Sequence, residues 1–145
     1  VENLSYGYAA QLTKNEEAAA YIEACRLNRN LHLCLYSYMD IAIHYDGATP
    51  EQIGRFLENL GLGQHTNVET IYEYLVEEPC NYLKYYLGYL EFLSLKQKAE
   101  ELWGTDYSDY RFHKFVLETG PSDFRSLDEL ITLHSYPGQN FGNQS

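Results

Sequence analysis

Residues 16 to 45 confine this chain to a helical fold. Apolar side chains recur there as Ala20, Ile22, Cys25, Leu27, Leu31, Cys34, Leu35, Tyr38, Met39, Ala42 and Ile43. The steps broadly follow one face of a helix and predict a single helix of about thirty residues ending near Tyr45. Nowhere does the sequence show the strict apolar–polar alternation of a half-buried strand. The expectation is an all-α chain, an irregular array of about six helices that includes one long helix.

Start and stop signals divide the rest. "TKNE" at Thr13–Glu16 reads as a capping box in front of the long helix, with Thr13 as the cap, and "DG" at Asp46–Gly47 ends it. "TPEQ" at Thr49–Gln52 opens the next helix, with Thr49 as cap and Pro50 in the first turn, and that helix should end near Gly61. "TNVE" at Thr66–Glu69 reads as a further capping box, opening a helix to about Glu78, where Pro79 breaks the chain. A tyrosine-rich helix should run from about Cys80 to Leu102 and stop at Gly104. Two shorter helices are expected near Ser108–Thr119 and Ser122–His134.

With 145 residues, 45% of them apolar, the chain can bury a real core. Residues 1–136 are expected to form a single helical domain, followed by a turn-rich flexible tail at 137–145. The formal net charge of −11 disfavours nucleic acid and anionic membrane as partners, since both are polyanions. No apolar run approaches the roughly 18 residues that a membrane span needs. The opening "VENLSYGYAA" has neither an initiator Met nor a basic n-region, as expected of a chain cut from something longer. The three cysteines, Cys25, Cys34 and Cys80, form no metal or disulfide pattern; Cys25 and Cys34 read as small buried thiols.

Two places carry candidate chemistry. In "DIAIHYDG", Asp40 and His44 are four apart and share a helix face. A carboxylate there can hold one ring nitrogen and leave the other to donate or accept. The same His at a helix C-terminus is also explained by the helix dipole alone. In "PCNYLKYYLGYL", Tyr82, Tyr85 and Tyr89 share a face, with Tyr86 to one side, while Leu83, Leu87, Leu90 and Leu93 form a separate stripe for the core. Gly88 in mid-helix suggests a close approach by a neighbour. The tyrosine face suits another helix, another domain or a ligand cavity. The remaining histidines, His32, His65, His113 and His134, carry weaker signals, and no H-E-x-x-H, G-x-S-x-G or P-loop occurs.

Three segments, "DIAIHYDGATPEQIGRFL", "VEEPCNYLKYYLGYLEFLSLKQKAEELWG" and "FHKFVLETGPSDFRSLDELI", resemble in order and spacing the C-terminal part of the bacterial proteins grouped as domain of unknown function 885. Those proteins look like helical zinc metallopeptidases of the gluzincin kind, distantly similar to angiotensin-converting enzyme and the oligopeptidases. The resemblance implies that the zinc ligands and general-base Glu lie upstream in the same polypeptide. Zinc is then expected in the full-length parent and not in this chain. It implies a peptide substrate for the parent, catalytic roles for Tyr85 and His44, and substrate-binding roles for Tyr82 and Asp40. Tyr85 would donate to a developing oxyanion, and His44 would bond the substrate backbone or the tetrahedral intermediate. Alone, the chain should be inactive, and a bared former interface should favour self-association. The alternative is a non-catalytic helical module that binds a protein or peptide through its tyrosine face.

Overall fold

The computed structural model describes residues 2–134 and is all-α over that span, with no strand among the described residues. The elements are α1 (Glu2–Leu12), α2 (Glu16–His44), α3 (Pro50–Asn59), α4 (Val68–Glu77), α5 (Asn81–Trp103), α6 (Asp109–Thr119) and α7 (Phe124–Leu133), with short 3-10 turns at Gly63–His65 and Gly104–Asp106. The long helix exists as expected, at 29 residues. Helix α1 is additional to the six expected helices, and the expected tail at 137–145 lies outside the described residues.

Caps explain most boundaries, but two belong to different residues from those expected. Before α3, Thr49 and Gln52 form the reciprocal box: Gln52 N–H donates to Thr49 Oγ1 and Thr49 N–H to Gln52 Oε1. Before α2 the cap is Asn15, not Thr13; its Oδ1 accepts from the N–H groups of Glu17 and Ala18. Before α4 it is Asn67, not Thr66, with Oδ1 accepting from Thr70 N–H. In both places an Asn, at least as good a cap as Thr, stands nearer the first turn and takes the role. The displaced Thr66 donates instead to Leu62 O. Gly47, Gly61, Gly104 and Gly120 take the positive φ that helix ends require.

The chain divides into two compact units, with the boundary inside α5 between Tyr86 and Leu87. The core of the first unit is Met39, Ile43, Ile53, Leu57 and Leu75, with Tyr36, Phe56, Ile71 and Tyr82 packed against it. Within it α1 lies along α2, and α2 and α3 both contact α4. The core of the second unit is Leu95, Ala99, Trp103, Phe112, Phe115, Leu127 and Ile131. Its Trp103 donates from Nε1 to Ile131 O at 3.3 Å, and the Arg111 guanidinium sits 4.5 Å from the indole centroid.

Helix α5 departs from expectation. Leu87, Leu90 and Leu93 are exposed, and the helix buries Leu95, Ala99 and Trp103 instead. The helix is apolar on more than one side, so its own periodicity does not select a face; packing against α6 and α7 residues does. Gly88 marks no close approach: a methyl there would meet only the Phe124 ring, at 3.9 Å. Cys25 and Cys34 are half-buried rather than buried, and Cys80 is exposed.

Candidate functional site

The last three turns of α2 place Ser37, Asp40 and His44 on one stripe, at spacings of three and four. Such positions on a core-facing helix are normally apolar. Here Ser37 and Asp40 are buried, at 4% and 1% exposure. Neither Asp40 oxygen nor the Ser37 hydroxyl has a hydrogen-bond partner among the described residues. A buried carboxylate without a donor costs several kcal/mol in principle, and folded proteins hold few of them.

His44 closes the stripe. Its Nε2 lies 3.0 Å from Leu75 O and 3.5 Å from Asp40 Oδ1. The contact with Leu75 is a hydrogen bond; the one with Asp40 is at the outer limit of an ion pair and leaves the carboxylate essentially undonated. Leu75 O belongs to the last turn of α4, where carbonyls find no partner in their own helix. His44 therefore ties the end of α2 to the end of α4. The expected pair comes together, but through one ring nitrogen that serves both oxygens.

The second candidate group forms around Tyr82, in the first turn of α5. Its ring lies 4.5 Å from that of Tyr36 and 6.0 Å from those of Tyr74 and His32, while His32 stacks on Tyr36 at 4.2 Å. Burial raises the Tyr82 pKa, reinforced by its hydrogen bond with Tyr74, and burial likewise raises that of Tyr36. Both phenols stay protonated through neutral pH and can donate. Burial and nearby Arg29 lower the pKa of His32. The turn that delivers Tyr82 is strained: Cys80 has φ +63°, a region that non-glycine residues enter at a cost. Asn81 anchors that turn by donating to Tyr74 Oη at 3.1 Å.

Tyr85, one turn further along α5, is 60% exposed, with Lys84 Nζ 5.4 Å from its ring centroid. All four expected site residues thus lie in the first unit. No hydrogen bond, ion pair or ring contact among the described residues joins Tyr82 or Tyr85 to Asp40 or His44. The link is Leu75, whose side chain belongs to the core on which Tyr82 packs and whose carbonyl faces His44. Two shallow hollows, one at Glu58 and Gly61 and one at Tyr38, Ala42 and Phe56, are lined by none of the four.

Sequence reasoning missed Ser37, His32, Tyr36 and Tyr74 as neighbours of the site. Ser37 was readable from its spacing to Asp40 and His44; the ring partners of Tyr82 depend on how three helices meet. Among the described residues no three His, Cys, Asp or Glu side chains gather as a metal's ligand set, and no helix is long and apolar enough to cross a membrane. Residues 7–131 match a family described as bacterial protein of unknown function (DUF885). No curated protein and no solved structure matches the chain.

Proposed function

The chain belongs to the bacterial family of unknown function DUF885, and on that premise we propose that it is the C-terminal helical part of a zinc-dependent peptidase. In this reading it supplies substrate-binding and oxyanion-stabilising side chains, and the metal ligands lie in another part of the same polypeptide. The donor set of the described residues does not fit zinc.

The observation that carries the reading is the buried Asp40 carboxylate, undonated and set beneath His44. A core that served stability alone would place an apolar side chain there. Held in that stripe, His44 is presented at the end of α2 with its side chain 34% exposed, within reach of a ligand. Tyr82 is anchored in its aromatic group, so the first turn of α5 is fixed, and Tyr85 follows it three residues on as an exposed side chain. A phenol so placed donates to negative charge that develops on a scissile carbonyl.

Tyr85→Phe in the full-length protein tests this. It removes one donor and leaves the ring. The expected loss is about 10²–10³ in kcat on a short peptide that the parent cleaves, with KM little changed. Near-wild-type turnover would make Tyr85 a surface residue without a catalytic part.

A further inference from the structure

We infer that His44 works through Nδ1 as a hydrogen-bond acceptor, and that the peptide against it must present a backbone N–H at that point. The identity of the ligand rests on the peptidase reading above; the state of the ring rests on geometry alone.

The near neighbour of Nε2, at 3.0 Å, is the Leu75 carbonyl oxygen, which can only accept; Asp40 lies farther off, at 3.5 Å. Nε2 must therefore carry the hydrogen. A neutral imidazole has one N–H, so Nδ1 keeps its lone pair. Moving the hydrogen to Nδ1 would set the Nε2 lone pair against the Leu75 oxygen. It would also strip the Leu75 carbonyl, at the end of α4, of its donor. The tautomer is thus built into the contact between α2 and α4.

Nδ1 makes no hydrogen bond among the described residues, and the side chain is 34% exposed. Beneath it the stripe is closed, since Asp40 and Ser37 are almost fully buried. A ligand meets the imidazole and not the carboxylate. What the neutral ring offers is an acceptor. In that form Nδ1 accepts and does not donate, so of the two roles expected for His44 it suits a bond to the substrate backbone, through an N–H. An extended peptide supplies such N–H groups at every residue except proline. His44 is then a specificity determinant: at one position of the substrate, proline or an N-methylated residue is rejected.

Two measurements test this. Long-range proton–nitrogen spectra of the ¹⁵N-histidine-labelled chain, at a pH where the ring is neutral, should show His44 as the Nε2–H tautomer; an Nδ1–H ring overturns the inference and leaves the peptidase reading standing. Scanning N-methylation along a peptide that the full-length protein cleaves should find one position where kcat/KM falls about tenfold, the size of one lost hydrogen bond. His44→Gln retains an amide N–H for Leu75 O but has no Nδ1, and in that variant the penalty at that position should vanish. A penalty that persists in His44→Gln overturns the inference. If no peptide is cleaved by any preparation, the peptidase reading fails and takes the substrate assignment with it, while the tautomer result stands.

Discussion

The two units differ in where they hold a buried carboxylate and a strained backbone position. In the second unit, several polar groups have clear partners: Trp103 Nε1 donates to Ile131 O, Lys98 pairs with Asp128 at 2.7 Å, and Lys96 and Tyr107 both reach Asp109. Its left-handed positions are glycines, Gly104 and Gly120. The first unit keeps Asp40 and Ser37 buried without hydrogen-bond partners and places Cys80 at φ +63°. A unit organised for stability resolves such conflicts; one that retains them holds them for another reason. The difference is the reason for proposing the site in the first unit.

The comparison breaks most easily where packing is densest. Trp103→Ala removes the largest side chain of the second core, together with its hydrogen bond to Ile131 O and its contact with Arg111. The expected cost is about 3–5 kcal/mol, seen as lost amide protection in α6 and α7. A cost under about 1 kcal/mol, the size of a surface change, would mean that this core is not what holds the unit.

The helices of both units were legible because their signals are local. Thr49, Ser108 and Gly104 each act within one turn of where they stand. Asn15 and Asn67 are hidden by the Thr–x–x–Glu pattern around them, although the nearer Asn holds the amides. The buried face of α5 was not legible, because tyrosines and leucines surround the helix and only tertiary contacts choose among its sides. At the site, the i, i+4 spacing brought Asp40 to His44. The third participant is a backbone carbonyl, Leu75 O, and a carbonyl leaves no mark on sequence.

A smaller effect sharpens the contrast. Cys80→Gly relieves the one positive-φ non-glycine position among the described residues. The folded state should gain about 1 kcal/mol, offset in part by the freer unfolded chain, as read by denaturant unfolding. A loss of stability would show that the Cys80 side chain makes a contact worth more than the strain.

The smallest effect is in pH. Hydrogen bonds from Tyr107 and Lys96 hold the Asp109 pKa below its ordinary value. A depressed carboxylate contributes stability that is complete above the unfolded pKa and is lost as pH falls through the folded one. Acidification below the ordinary aspartate range should therefore weaken the second unit, and Tyr107→Phe should flatten that dependence. Asp109 is partly exposed, so the effect is a fraction of a kcal/mol. An unchanged acid limb in Tyr107→Phe would remove Tyr107 as its cause.

Asp40→Asn addresses the central claim directly. The variant keeps the shape of the side chain and removes its capacity for charge. Hydrogen exchange of α2 amides, followed across denaturant, gives the unfolding free energy of the first unit; Trp103, the chain's single tryptophan, lies in the second unit. If Asp40 is retained for function at the expense of stability, that free energy is unchanged or rises by about 1 kcal/mol. A fall of about 3 kcal/mol or more, the cost of breaking a buried pair, would make Asp40 a structural residue and contradict the account.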